Sequence, residues 1–454
     1  MTEQDNTTRP RYEKPVIVRQ TPGAMNKFGR RFTVPVQTHI EGQKVTDLIA
    51  EHGSPLFVFS ERKLREQARE LRDALALRYP RVQLAWSYKT NYLGAVCRVF
   101  HQEGAWAEVV SAFEYERALQ LGNDPSTIVF NGPHKPARAL EHALSGGSLV
   151  NIDHYDELGA AEKIAVKLGI RPGVGMRVNL STGSTPAWDR FGFNLENGHA
   201  LAAAERIMAG GKLRLVGLHC HIGTFILEPE AYKVAAGKLA RFANELREKH
   251  GIVLEVLDLG GGLASRNTLH AQYLPGEQAT PSFAQYAEAI ADGLEALEAP
   301  PSQRPTLILE SGRSLVDEAG SLVASVVATK RLADSRKALV LDAGVNVLFT
   351  SFWYKHEIRP AVNRPGRPEA TAVFGPLCMQ IDVIRESMNL PALQPGDPVV
   401  IGTVGAYNVT QWMQFITLRP AVVMITTDGR VERIRDAETI EDVIGPERVP
   451  AHLV

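Results

Sequence analysis

The sequence predicts an α/β chain: a (β/α)₈ TIM barrel followed by an all-β domain. Three observations lead there. Between residues 55 and 315, short β-branched or apolar runs alternate with longer stretches of helical spacing, the signature of repeated βα units around a parallel sheet. Eight such runs fit into about 230 residues, closer to the roughly 250 of a closed barrel than to the alternative, an open doubly wound sheet. Beyond residue 315, strand-like runs are separated by Pro, Gly and Asp turns, as in antiparallel β structure.

Taken in order, residues 1–25 are polar and Pro-containing and are expected to form a surface arm. Residues 26–54 contain "RRFTVPVQTHI" (30–40), a strand-like segment expected to join the β domain, so that the barrel (55–315) is inserted between two parts of it. The helix before the first barrel strand is marked by Leu64, Ala68, Leu71 and Leu75, recurring at offsets of four and three, one face of an α-helix. The first four strands read as "VQLAWSYK" (82–89), "AWAEVVS" (105–111), "TIVFN" (127–131) and "LVNID" (149–153). The second four read as "VGMRVN" (174–179), "LVGLHCHIG" (215–223), "LEVLDLGGG" (254–262) and "TLILES" (306–311). Residues 316–454, with runs such as "SLVASVVATKRL" and "AVVMITTDGRVERIR", predict a β-barrel or sandwich.

Composition narrows the function. With 454 residues, 44% hydrophobic and 22% charged, the chain can fill the cores of two domains. A formal net charge of −1 gives no footprint for nucleic acid or an anionic membrane, which leaves small molecules as the expected partners. Three cysteines at unrelated spacings suit a reducing compartment. The N-terminus has no apolar signal core and no run approaches the ~18 apolar residues of a membrane span, so a cytoplasmic location is expected.

In a (β/α)₈ barrel all strand carboxyl ends open on one face, and chemistry collects there. This sequence puts Lys89 at the end of strand one, Glu108 and Ser111 at two, Asn131 at three, and Asp153 at four. Arg177 and Asn179 close strand five, His219 and His221 six, Asp258 with Gly260, Gly261 and Gly262 seven, and Glu310 with Arg313 eight. One charged residue closing a strand is ordinarily a solvated boundary. A whole ring of polar ends would be costly to bury unpaired, which predicts a polar ligand at the mouth.

The "DLGGGL" turn lets the backbone approach a ligand and can form an anion-binding concavity, although alone it equally describes a tight βα turn. Arg313 at the next strand end adds a guanidinium fork that matches phosphate. A lysine amine beside a phosphate site suggests a Schiff base to pyridoxal 5'-phosphate. His219 and His221 equally describe a pair of metal ligands completed by Asp258 or Asp153, an alternative that leaves Lys89 and the glycine triplet without a task. Glu310 facing a pyridine nitrogen would keep the ring protonated and electron-withdrawing, as loss of CO₂ requires; the plainer alternative is a salt bridge with Arg313.

Several motifs in order resemble the fold-type III pyridoxal-phosphate decarboxylases, the diaminopimelate and ornithine decarboxylase group that shares its barrel with alanine racemase. Between about residues 55 and 415, "SYKTN" resembles the cofactor-lysine motif, "HCHIGT" the HxHIGS motif, and "DLGGGL" and "ESGRSLV" the phosphate glycines and the EPGR segment. "GPLC" and "GAYNVTQW" resemble the two C-terminal active-site motifs. The resemblance implies an alanine racemase-like fold with Lys89 as the Schiff-base residue, His221 stacked on the ring and Glu310 at its nitrogen. It implies that Gly260, Gly261, Gly262, Arg313 and Tyr407 hold the phosphate, with Thr224 where serine is usual. Cys378 is implied to reach the site of a second subunit and reprotonate the reacting carbon, hence a homodimer with shared sites. Glu310 stands where racemases are expected to carry arginine, which favours decarboxylation. A racemase, or a non-catalytic relative binding a partner, is the alternative.

The departures concern substrate. Arg313, Met379 and Tyr407 are the expected substrate contacts, yet Met379 follows Cys378 where the resembling diaminopimelate decarboxylases carry glutamate, and no Arg-Pro occurs between Asn346 and His356. Glu108 replaces a usual aspartate and Ser311 a proline. A methionine cannot hold an ammonium, and Phe352 and Trp353 stand where polar recognition is expected. The expected substrate is therefore an α-amino acid with a larger or differently charged side group, such as a biosynthetic conjugate.

Overall fold

The computed structural model describes residues 34–184 and 187–453; the arm expected at residues 1–25 lies outside them. Eight parallel strands close into a barrel in chain order. They are Val82–Ser87, Trp106–Val109, Ile128–Phe130, Leu149–Ile152, Gly173–Asn179, Arg214–His219, Val256–Asp258 and Thr306–Leu309. The last strand pairs with the first, Leu309 opposite Leu84, and closes the ring. Strands covered by helices outside and side chains inside read as near-continuous apolar runs, and Trp86 shows why: it is fully buried and stacked on Phe100 with ring centroids 4.0 Å apart. Helix Glu61–Ala76 buries Leu64, Ala68, Leu71 and Leu75, as their spacing predicts, and Ser60 Oγ caps it by accepting the Lys63 N–H at 3.2 Å.

The barrel begins at this helix, which corrects the expected start at residue 55. Leu56–Ser60 belongs to the β domain, paired antiparallel with Gly320–Arg331 and parallel with Ala421–Ile425. All five of its residues are buried; a run apolar on both faces suits either sheet, and only its neighbours decide. Gly320 lies opposite Phe59, so one sheet ties together the points where the chain leaves for the barrel and returns from it.

In the β domain the long strand Gly320–Arg331 pairs in its first half with Pro398–Gly402 and in its second with Lys337–Leu341. Two pairings are parallel where antiparallel structure was expected: Leu56–Ser60 with Ala421–Ile425, and Lys337–Leu341 with Glu369–Phe374. Of the segment expected as a strand at 30–40, residues 30–33 lie outside the described residues and the rest joins this domain by packing. His39–Ile40 and Gln43–Lys44 form a separate two-stranded hairpin around Glu41 and Gly42, both at positive φ. The Gln37 N–H donates to the Pro360 carbonyl at 2.8 Å, and Ile40, Val45 and Leu48 pack on Leu56, Val323 and Val423.

The β domain also reaches the barrel mouth. The Tyr407 N–H donates to the Thr90 carbonyl at 2.8 Å, and Asn91 Nδ2 donates to the Gly405 carbonyl at 3.1 Å. Among the described residues no helix is long and apolar enough to cross a membrane.

Phe57 is fully buried and its ring meets Trp412 at 5.6 Å, in the loop that carries Tyr407. Phe57→Ala should destabilise the protein by about 3–5 kcal/mol, read as a lower guanidinium midpoint; an unchanged midpoint would remove this strand from the core.

Candidate active site

The carboxyl ends of the barrel strands surround a cavity of about 490 Å³. Lys89, His221, Thr224 and Glu310 line it on the barrel side, with Gly261, Gly262, Arg313 and Tyr407 completing the wall. Gly260 lies just behind the lining, while Cys378 is exposed and Met379 half-buried on the β domain, outside this chain's own cavity.

Lys89 follows the first strand in a turn, where Nζ donates to Glu108 Oε2 at 2.6 Å. The same oxygen accepts from Ser87 Oγ at 2.6 Å. Glu108 Oε1 accepts from Asn131 Nδ2 at 3.0 Å, and that nitrogen also donates to Glu310 Oε1 at 2.6 Å. Asn131 thus bridges two carboxylates, and its own oxygen accepts from Asn151 Nδ2 at 2.8 Å. His219 Nε2 lies 3.3 Å from the other oxygen of Glu310.

This network sets the charges. Burial disfavours the Lys89 ammonium, but Glu108 foremost holds its pKa above the ordinary lysine value. Burial likewise pushes Glu310 upward, yet His219 and then Lys89 outweigh it and keep the carboxylate below its usual range. Asp258 moves oppositely, raised well above its ordinary value by burial and by the charge of Glu310. Its Oδ1 accepts the Gly260 N–H at 2.8 Å. Burial, followed by the charges of Lys89 and Arg177, lowers His221 to about 3. Its imidazole is therefore neutral, with Nδ1 accepting the Gly261 N–H at 3.1 Å.

The glycine turn is required sterically. Gly262 has φ +102, and a Cβ there would strike the Gly223 carbonyl, while one on Gly261 would strike that of Glu310. Arg313 is clamped by three rings, its guanidinium carbon 4.8 Å from the centroids of Tyr354 and Tyr407 and 5.8 Å from that of Phe225. Its Nε and Nη1 are buried without hydrogen-bond partners, Nη1 lying 3.7 Å from Asp317. Tyr407 and Phe225 have φ of +64° and +56°, a strained conformation for non-glycine residues that clusters at functional sites.

These residues fit pyridoxal phosphate: a reactive amine, a neutral imidazole, an ionised carboxylate, a glycine turn and an arginine with unpartnered nitrogens share one cavity. The metal alternative is rearranged. His219, Asp258 and Glu310 offer ligand atoms within 4.8 Å of one another, but the expected partner His221 faces the cavity and holds Gly261 instead. The carboxylates of this cluster already accept from Gly260 and Asn131.

Not every polar strand end reaches the mouth. Ser111 caps helix Ala112–Gln120, Asp153 lies 3.9 Å from Arg177, and Asn179 donates to the Phe191 carbonyl at 2.7 Å. Ser111 and Asn179 serve the wall, while Asp153 Oδ1 faces Arg177 without a hydrogen-bond partner. Conversely, sequence reasoning missed Trp188, Phe225, Tyr354 and Gln411 on the lining. Only Gln411 carried a signal, as part of the quoted "GAYNVTQW".

Residues 61–317 match the family model of the pyridoxal-dependent decarboxylase, pyridoxal binding domain. The chain belongs to the pyridoxal-dependent decarboxylase family. The diaminopimelate decarboxylase of Methanothermobacter thermautotrophicus is 31% identical over 427 residues, 91% of this chain and 96% of that protein. That of Bacillus subtilis is 29% identical, covering 89% and 94%. The crystal structure of diaminopimelate decarboxylase from M. jannaschii matches with a TM-score of 0.84 at 28% identity, over 93% of this chain and 99% of that one. The protein is thus a pyridoxal-phosphate-dependent amino-acid decarboxylase with the fold-type III barrel and β-rich domain.

Lys89→Ala should abolish the visible absorbance of protein incubated with pyridoxal phosphate, and its retention would separate Lys89 from the cofactor. Glu108→Gln removes the charge that raises Lys89. Because an amine must be neutral to condense with an aldehyde, cofactor uptake should reach half its maximal rate at lower pH than in the wild type. In stopped-flow absorbance the wild-type rate should still be rising at about pH 10, near the ordinary lysine value, where that of Glu108→Gln is closer to its plateau; superimposable pH profiles contradict it.

Proposed function

We propose that this decarboxylase acts on an α-amino acid with a larger or differently charged side group than meso-diaminopimelate, such as a biosynthetic conjugate, at sites shared across a homodimer. One observation carries the substrate: the tip that bears the exposed Cys378 continues into Met379, Gln380 and Ile381, with no charged residue from 376 to 381. Relatives at about 30% identity are diaminopimelate decarboxylases, and the M. jannaschii enzyme has been solved with L-lysine; these support the reaction and leave the side group open.

Bound pyridoxal phosphate supplies an electron-withdrawing ring that takes up the electron pair left by CO₂. In this chain Lys89 attaches the cofactor and Glu108, 2.6 Å away, exchanges its proton. His221, being neutral, would lie against the ring without competing for charge. Glu310 stays ionised through His219 and so would hold a proton at the ring nitrogen. Gly260, Gly261, Gly262, Thr224, Arg313 and Tyr407 would hold the phosphate, with Arg313 pre-oriented by its aromatic clamp. Cys378, on the partner's tip, returns a proton to the reacting carbon, and Met379 beside it meets the side group with carbon and sulfur alone. Removing an expected ionic contact costs recognition of a substrate that needs it.

Release of CO₂ from a panel of free and Nε-derivatised amino acids is expected to favour members other than meso-diaminopimelate; brisk turnover of meso-diaminopimelate would defeat the substrate assignment. Mixing inactive Lys89→Ala with inactive Cys378→Ala protein should restore about a quarter of wild-type activity, since half the random dimers carry one intact shared site. No recovery would confine each site to one subunit.

A further inference from the structure

The chemistry at the cofactor end accounts for every ionised group on the cavity wall. Lys89 is engaged by Glu108 and Glu310 by Asn131 and His219, while Arg313, clamped by three rings with Nε and Nη1 unpartnered, is committed to the phosphate in the function proposed above. The rest of the wall includes Trp188, Leu269, Trp353 and Gln411, which offer only apolar surface and neutral hydrogen-bonding groups. The two indoles are 38% and 46% exposed, yet both are fixed. Trp188 meets His221 edge-on with centroids 5.2 Å apart, and Trp353 meets Phe349 in the same way at 5.0 Å. Held aromatic surface left open at a cavity mouth is the wall of a ligand site.

We propose that Trp188 and Trp353 form the subsite for the substrate's side group, and that it takes an uncharged flat group, an acyl amide or an aryl ring, in place of a free distal ammonium or carboxylate. This rests on the decarboxylase function proposed above and adds the chemistry of the side group. A distal carboxylate would find on the lining no cation beyond Lys89, held by Glu108, and Arg313, which the proposed function commits to the phosphate. A distal ammonium would find no uncommitted carboxylate, and indole faces near water attract a cation only weakly. A flat group instead covers both indoles. The Gln411 carboxamide offers the donors and acceptor that complement an amide. The uncharged tip at 376–381 adds no counter-charge from the partner.

Product amines test this without requiring turnover. Calorimetric titration of the cofactor-loaded enzyme should show N-benzoylcadaverine binding at least about tenfold tighter than cadaverine. Trp188→Ala should erase most of that preference and Trp188→Phe, which keeps a flat ring, should retain it, with cofactor absorbance unchanged in both. Equal or tighter binding of cadaverine to the wild type overturns the subsite, as does a loss in Trp188→Ala that is equal for the two amines. Preferential binding of the benzoylated amine in an enzyme that releases CO₂ from no amino acid would leave the subsite standing and sink the function.

Discussion

A chain of short hydrogen bonds joins four strand ends at the barrel mouth: Lys89 to Glu108, Glu108 to Asn131, Asn131 to Glu310, with His219 beyond. Asn131 and Glu310 are 179 residues apart in sequence; barrel closure, with strand eight beside strand one, is what makes them neighbours. Each member keeps another's charge tolerable in a poorly solvated place. Removing one would leave an uncompensated buried charge, at a cost of about 3–5 kcal/mol. Fold and chemistry therefore rest on the same contacts.

The network also divides labour between acids. Asp258 and Glu310 share one buried cluster with His219, where two negative charges would repel. The structure resolves this by raising Asp258, which holds the glycine turn through the Gly260 N–H, and lowering Glu310, which faces the cavity. Three residues beyond Glu310, Arg313 is held by aromatic faces rather than by a close carboxylate, so its charge is positioned without being neutralised. The strained backbone at Tyr407, of order 1–3 kcal/mol, is sustained because the barrel fixes that loop of the β domain through Thr90 and Asn91.

Much of this was legible in the sequence. Barrel strands buried on both faces announce themselves as apolar runs, and the residues ending them are fixed by strand length, so Lys89, Glu310 and the glycine triplet could be placed at the barrel mouth. What escaped depended on contacts between distant segments. Leu56–Ser60 looks like any buried strand, and nothing local says that Gly320–Arg331 and Ala421–Ile425 will flank it. Asp153 and Arg177 lie at strand ends like the cavity residues, but they turn to each other. Trp188 and Tyr354 sit in irregular segments without periodicity, and tertiary packing alone carries them to the wall. Cys378 and Met379 lie outside the chain's own cavity, as residues serving a partner's site would.

The central claim is that Lys89 carries the cofactor at this mouth. Borohydride reduction of the loaded enzyme, followed by peptide mapping by mass spectrometry, tests it most directly. The pyridoxyl label is expected on the peptide containing Lys89. Label on another lysine, such as the buried Lys135 paired with Glu157, would contradict it.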